Sequence, residues 1–538
     1  MKNGTPPYRL NRRAFLAGLA TVPAMAASTA AHAQEGTWKP GDGLRLAGPT
    51  QGLETLDPAL ARDMSTNFVI RQVSRGLMGY DEELLPVPEL ADTVDVSDDQ
   101  TTYTFTLRED ALFHDGRRVE AEDAAWSLAR ALHPATAAAA GTALSGTTFL
   151  SDIGGADVVM AGNAETLAGI EVIDARSLRI TLEGPSTTFL MRLASIPASI
   201  LDRHQDTSTQ DWWTAINGSG PYRVAAVDPA TSLELTADGP WRGSDAPVRN
   251  VHIRLGMNAS APENLLQSGQ IDLLDDAHPA LVPLLQDPAT GLEGYEVVEM
   301  PQFAMSYVAF GGNEEPLDDI HVRRAIQLGF DVPAYVEAAV GETVMLPEGI
   351  IPQGVLGRAW RMDLPAADLD AARRELASSR YGDAANVPVI RIHAADISPV
   401  EAMRDVLGAS LGLRIEAVQV NWTDFLDGLS ARVWDAHSLF WGMDYPDPEA
   451  LLRMLWESNS SDNYTGYRND DFDAVLAASR NEPDDIVRQD LYMEAQRILI
   501  DDAAVIPLYV PRRYTFARPG FSHIPVTSMG LLGLETVR

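Results

Sequence analysis

Cysteine is absent from all 538 residues. That excludes disulfides, a thiolate nucleophile and any Cys-based zinc site, so in an oxidising compartment the core alone must hold the fold. It also excludes a lipid-modified cysteine after a leader, and a free, unanchored protein is expected. Lysine is nearly missing: Lys2 and Lys39 are the only two, and every other basic side chain is an arginine. A P-loop places a lysine at its phosphates, and a Schiff-base enzyme needs a buried one. Neither chemistry has a residue here. Positive charge is scarce altogether, with 41 basic against 76 acidic residues and a net charge of −35. Phosphate backbones and anionic lipid surfaces repel such a chain, so no nucleic-acid partner is expected. The acidity reads first as a source of solubility and does not by itself prove a cationic ligand.

Catalytic signatures are missing as well. There is no Gly-x-Ser-x-Gly elbow and no His-Glu-x-x-His pair, and the ten histidines are scattered. His114 belongs to a turn and reads as structural. Asp470, Asp471 and Asp473 lack the spacing of a calcium loop and read as the acidic start of a helix. No enzyme activity, no cofactor and no metal are expected.

What is present begins with the N-terminus. Asn11-Arg12-Arg13-Ala14-Phe15-Leu16 opens an alanine-rich apolar run that ends in Ala31-His32-Ala33. A charged segment, an apolar segment and an A-x-A site make a secretory leader, cleaved after about Ala33. The paired arginines resemble a twin-arginine export signal, with Asn11 where Ser or Thr is usual. Pro23 and the mild hydrophobicity argue against a membrane anchor. Export to the periplasm follows.

Beyond the leader, strands and helices alternate. Leu44-Arg45-Leu46-Ala47 reads as a strand and Leu56-Asp57-Pro58 as a turn or helix start. A helix is predicted over 65–78. Thr102-Tyr103-Thr104-Phe105-Thr106-Leu107 alternates strictly, as a half-buried strand does. A helix from about Glu120 to Leu132 carries one apolar stripe, and Leu178–Leu182 is a second alternating strand. The Ala/Gly-rich stretch 134–169 is predicted as loop or insertion. Asn217-Gly218-Ser219-Gly220 turns into a strand; further helices are predicted near 321–329, 399–412 and 485–500, and a late strand over Val505–Val510. This alternation predicts α/β lobes with mixed sheets. At roughly 150 residues per domain the length suggests three or four structural units.

The ordered motifs then carry a resemblance. Leu56-Asp57-Pro58-Ala59, Gly76-Leu77-Met78-Gly79-Tyr80-Asp81 and Tyr103-Thr104-Phe105-Thr106-Leu107-Arg108 come first. Phe113-His114-Asp115-Gly116 leads into Ala121-Glu122-Asp123 with Ser127 and Arg130. Gly220-Pro221-Tyr222-Arg223-Val224, Val322-Arg323-Arg324-Ala325, Asp444-Tyr445-Pro446-Asp447-Pro448, Asn463-Tyr464-Thr465-Gly466-Tyr467 and Ile506-Pro507-Leu508-Tyr509 follow. The set resembles the family 5 extracellular solute-binding proteins of ABC importers, a family of dipeptide-, oligopeptide- and nickel-binding proteins. One departure is Glu120, where the family usually has Thr.

The resemblance implies an α/β, two-lobed periplasmic binding protein of the class II, large three-subdomain type, with mixed sheets and a hinge between lobes. The expected division is a leader over 1–33, a first lobe from 36–78, 186–300 and a C-terminal return over 506–538, an extra subdomain over 79–185, and a second lobe over 301–505. The expected partners are a small solute and the permease subunits of the inner membrane, with the protein a monomer.

In peptide-binding members the aspartate of the Asp-Tyr-Pro motif pairs with the peptide's α-amino group, which the resemblance implies for Asp444. Trp441 and Tyr445 would supply apolar walls and cation–π attraction, and the backbone of Gly442 and Met443 would meet an extended peptide. The alternative is that Asp444 merely starts the turn at Pro446. Asp63, Met64, Ser65, Thr66 and Asn67 form the segment where relatives present first-lobe backbone to the ligand, with Met64, Ser65 and Thr66 as the candidate contacts; alternatively Ser65 or Thr66 caps the helix that follows. Dipeptide-binding relatives carry an arginine for the ligand's C-terminal carboxylate in the loop before the helix at 399–412. Here that loop is Ile392-His393-Ala394-Ala395-Asp396-Ile397-Ser398, with Arg391 and His393 out of register. A longer peptide, an opine, an oligosaccharide or a nickel complex therefore stays open. The rivals from other classes are a periplasmic hydrolase using two carboxylates and a sensor or chaperone.

Overall fold

A computed structural model describes residues 39–538 apart from 40, 42, 51, 62, 141–143, 238, 242–243, 259–260, 278–280, 283, 285–291, 293 and 461. Arg12, Arg13, Pro23 and Ala33, the landmarks of the expected leader, lie outside the described residues.

Strict alternation builds the smaller sheet. In Thr102–Leu107 every second side chain is buried, and Tyr103, Phe105 and Leu107 are 2%, 0% and 0% exposed. The strand pairs with Ala91–Val96 on one side and Ser177–Thr181 on the other, and Ile170–Asp174 completes four antiparallel strands. The helix Ala121–Arg130 covers it, burying Ala121, Ala124 and Leu128. Glu120 does not weaken this helix start as a missing Thr would. The Asp123 carboxylate accepts from the Glu120 amide at 2.8 Å, and Glu120 itself pairs with Arg203 at 2.8 Å. Phe105→Ala should cost about 3–5 kcal/mol, the usual price of emptying a fully buried aromatic site. A lower denaturant midpoint at unchanged slope checks it.

The larger sheet has twelve strands and runs through both lobes. Parallel and antiparallel neighbours mix in it. Leu44–Ala47 lies parallel to Asn250–Arg254, whereas Ala304–Phe310 is antiparallel to Ala436–Gly442. The predicted late strand proves twice as long, Val505–Ala517. Its first part pairs with Ala304–Phe310, and its second with Glu296–Pro301 and with Leu273–Leu274. One strand thus joins the two halves of the sheet. The helices Ile320–Gly329, Leu369–Ser378 and Ser398–Leu411 bury apolar faces in one core with strands of this sheet, Val322, Leu376 and Leu407 among them.

Several expectations need correction. The helix predicted over 65–78 is Met64–Val73. Ser74 is already extended, Arg75 O accepts from Ile200 N at 2.8 Å, and Met78–Tyr80 is a strand. Apolar residues at 73 and 77 kept the helical pattern running past a chain that tertiary hydrogen bonds pull straight. Its cap is neither Ser65 nor Thr66: the Asp63 carboxylate accepts from Thr66 N at 2.8 Å. The stretch 134–169 is not a plain loop but carries helices at Pro134–Ala140, Thr147–Leu150 and Ala156–Met160. Alanine supplies the propensity there.

The family-like motifs are mostly structural. Asp57 takes a two-pronged contact from Arg130 at 2.9 and 2.5 Å, tying the first strand's loop to the helix above. Asp123 receives Arg117 and Arg203. The His114 ring lies 2.9 Å from Gly220 O, as a structural histidine should.

Candidate ligand site

The helix Met64–Val73 has two faces. Val69, Ile70 and Val73 are fully buried in the first-lobe core. Met64, Asn67, Phe68 and Arg71 recur at helical spacing on the other face and line a cavity of about 720 Å³. Across it stands the end of the strand Ala436–Gly442 with the turn that follows, contributing Trp441, Gly442, Met443 and Asp444. Tyr464 and Asp462 continue that wall, and Met529–Leu531 of the C-terminal segment close one side. Residues from both ends and the middle of the chain meet here.

Five of the eight residues named from sequence line this cavity: Met64, Trp441, Gly442, Met443 and Asp444. Three do not. Tyr445 is 1% exposed and faces the core, with Phe149 at 6.3 Å and its hydroxyl 3.3 Å from Glu449 Oε2. The two lie in the bend that follows the strand, where Asp444 lines the cavity and Tyr445 turns into the core. Ser65 is exposed elsewhere. Thr66 faces a second cavity of about 740 Å³, between the 121–130 helix and the loop around Trp212. Of the backbone groups of Gly442 and Met443 expected to meet a peptide, the Met443 amide already donates to Phe303 O at 2.8 Å.

Asp444 and Asp447 share a motif and divide its labour. Asp447 is wholly buried; its Oδ1 accepts from Tyr492 at 2.8 Å and from the Glu449 amide at 2.9 Å, which holds the turn into the helix Glu449–Trp456. Asp444 has no such role. Among the described residues nothing donates a hydrogen bond to its carboxylate. Burial, with the Asp462 charge nearby, pushes it up to about 7. Asp462 is raised too, by its own burial, although Tyr464 donates to it at 3.3 Å. Trp441 stands edge-on to Tyr464 at 6.0 Å. Behind them His437, 2% exposed, is pushed down to about 3 by burial and stays neutral.

The strand ending at Gly442 is paired along one edge with Ala304–Phe310. On its other edge, among the described residues, only His437 meets the neighbouring strand at His393. From Ser438 onward, among the described residues, no strand pairs with that edge. Sequence reasoning missed Phe68, Arg71, Asp462 and Tyr464, whereas Asn67 lay in the segment expected to meet the ligand. The 64-67-68-71 spacing was a usable signal for the first group; nothing local marks the second.

The profile of bacterial extracellular solute-binding proteins, family 5 Middle, matches residues 86–463. The periplasmic oligopeptide-binding protein OppA of Escherichia coli K12 is 25% identical over 473 residues, 85% of each chain. Among solved structures, clavulanic acid biosynthesis oligopeptide binding protein 2 superposes with a TM-score of 0.80 at 21% identity, over 93% of this chain and 96% of its own. The ABC transporter-associated periplasmic binding protein DppA from Helicobacter pylori, in complex with the peptide STSA, gives 0.75 at 21% identity, over 92% and 98%. The two-lobed fold is shared with these proteins.

Proposed function

Because the chain belongs to the bacterial extracellular solute-binding proteins, family 5, we propose that it is the periplasmic capture component of an ABC importer for a peptide or another solute with a free amine. The observation that carries the ligand class is Asp444: a carboxylate in the cavity wall, raised to about 7, with no donor of its own. A ligand ammonium supplies the missing counter-charge, and exclusion of water strengthens the pair. Trp441 and Tyr464 offer ring faces and edges to the same cation. The edge beyond Ser438, with which no strand pairs among the described residues, offers main-chain groups to an extended chain, in the manner of strand addition. OppA of E. coli is named for oligopeptides, and the H. pylori DppA structure holds one, which supports the same class here.

In this reading the lobe of residues 301–505 closes on that of 36–78 and 186–300 by hinge motion, because the ligand binds the closed state better. Contacts such as the Thr188 hydroxyl donating to Glu449 Oε2 at 2.6 Å would hold the closed form. The filled protein delivers its solute to permease subunits in the inner membrane. Export by the twin-arginine leader, cleavage after Ala33, freedom from a lipid anchor and a monomeric state belong to the same proposal.

A thermal-shift panel on the mature protein tests it. Ligand at 100 times its Kd stabilises by about 2.7 kcal/mol. Free-amine peptides are expected to shift the melt and N-acetylated ones not. A shift by sugars or metal chelates alone would return Asp444 to the role of a turn residue. Two raised carboxylates, Asp444 and Asp462, are also acid–base equipment and favour one rival, a hydrolase. Mass spectrometry of the incubated peptide separates the two: an importer component leaves its mass unchanged.

A further inference from the structure

We propose that Arg71 is the carboxylate-binding end of this cavity, so that the site reads a short zwitterion by its two opposite charges, the amine at Asp444 and the carboxylate at Arg71. The proposal rests on the amine reading of Asp444 and adds a limit on ligand length and termini to it.

The charge inventory of the cavity is lopsided. Asp427, Asp444 and Asp462 line it, and Arg71 is the one basic residue among its described lining residues. Arg71 is only 9% exposed, yet among the described residues it forms no ion pair. Among the described residues its hydrogen bond is a long one, Nη2 donating to Tyr80 O at 3.4 Å, and its Nε is buried without a partner. A guanidinium carries five N–H donors in a fork that matches a carboxylate, and leaving them unmet in a buried place is costly. The nearby carboxylates are engaged elsewhere. Glu535 and Glu89 lie 2.5 and 3.1 Å from Arg75, the arginine just past the end of the helix. They act on Arg71 only from a distance, and burial with the Arg75 charge pulls its pKa down. Arg71 also borders a smaller hollow of about 310 Å³ shared with Glu89 and Glu535, so a purely charge-balancing role is the rival to be tested.

Arg71 and Asp444 do not satisfy each other. No hydrogen bond or ion pair joins them, although both line this cavity; among the described residues Arg71 reaches only Tyr80 O. Two opposite charges in one cavity that do not pair with each other are complementary to a molecule with an amine at one end and an acid at the other. The base noted from sequence, Arg391, is not available for this. It pairs with Glu416 at 2.9 Å on the outermost strands, outside the cavity. His393 is stacked on Trp434 at 4.7 Å.

Calorimetric titration of the mature protein with di-, tri-, tetra- and penta-alanine tests this, each peptide supplied free, N-acetylated and C-amidated. In the wild type, amidation should weaken the best-bound length tenfold or more. In Arg71→Gln the free acid and the amide should bind alike, and Arg71→Lys should keep part of the preference. Equal binding of acid and amide by the wild type overturns the proposal, as does a preference that survives in Arg71→Gln. If Arg71→Gln does not fold, the wild-type comparison and Arg71→Lys decide. The acetylated arm reports on Asp444 instead. An acetylation loss without an amidation loss removes Arg71 alone; the reverse removes the amine reading and the two-charge site with it. Binding of no peptide at any length removes both.

Discussion

Replacing Asp444 by asparagine is expected to raise the melting temperature of the ligand-free protein at pH 8 while removing most of its affinity for free-amine peptides. Both effects come from one carboxyl, held up to about 7 by burial and by Asp462. An unfolded aspartate titrates near 4, so the displacement is about three units, or at most about 4 kcal/mol. The sign follows from the upward direction. The folded state binds the proton more tightly, so this contribution to stability is whole below about pH 4. It is lost progressively as the pH rises to about 7. Above that the wild type carries a half-buried, unpaired charge that asparagine does not. The gain of Asp444→Asn should therefore grow from about pH 4 to 7 and then level. Binding runs the other way. A ligand ammonium needs the ionised carboxylate, so wild-type affinity should fall about tenfold per pH unit below 7. Breaking a buried charged pair typically costs 2–5 kcal/mol, roughly thirty-fold to several thousand-fold in Kd. Melting curves and titrations at pH 5, 6, 7 and 8 check both arms. A variant that is less stable than the wild type at pH 8, or that binds as well, contradicts the assignment.

The second large effect lies at Arg75. Its side chain is 1% exposed and holds Glu535 at 2.5 Å and Glu89 at 3.1 Å, joining the end of the first-lobe helix to the last residues of the chain. Arg75→Met should destabilise by about 3–5 kcal/mol, because it leaves two carboxylates buried without their cation. The deficit should shrink as the pH falls. In the wild type the arginine charges hold Glu535 below the usual carboxylate range against the cost of burial, so its contribution is present at neutral pH and disappears in acid. In the variant the protonated acid is no longer at a disadvantage. Guanidinium denaturation at pH 7 and pH 4.5 reads the difference; an equal deficit at both values would contradict it.

How much of this was legible depends on whether a signal is local. The alternation of Thr102–Leu107 has one physical solution, a half-buried strand, and the structure has it. The stop of the helix at Val73 was not legible, because Ser74 and Arg75 are straightened by partners far along the chain, Ile200 and Glu535 among them. The cap was misplaced for a smaller reason. Asp63, Ser65 and Thr66 are all competent caps, and only the register of the turn selects Asp63. In Asp444-Tyr445-Pro446-Asp447 the motif was visible, but not which side of the chain each side chain takes. Asp444 lines the cavity, whereas Tyr445 and Asp447 are buried in the core behind it. Tyr464 and Asp462 enter the site only through the fold, with no sequence pattern relating them to Met64.

The thirteen-residue strand Val505–Ala517 has a consequence for how the protein can be made. It lies between Ala304–Phe310 and Leu273–Leu274, and through the latter reaches Leu44–Ala47. During vectorial synthesis the earlier strands leave the ribosome with this neighbour still unwritten. Neither half of the large sheet can be closed until residues 505–517 have been made. A stop codon placed before residue 505 would remove the centre of this fold, and until that strand has emerged the exposed sheet edges must be kept from pairing with other chains.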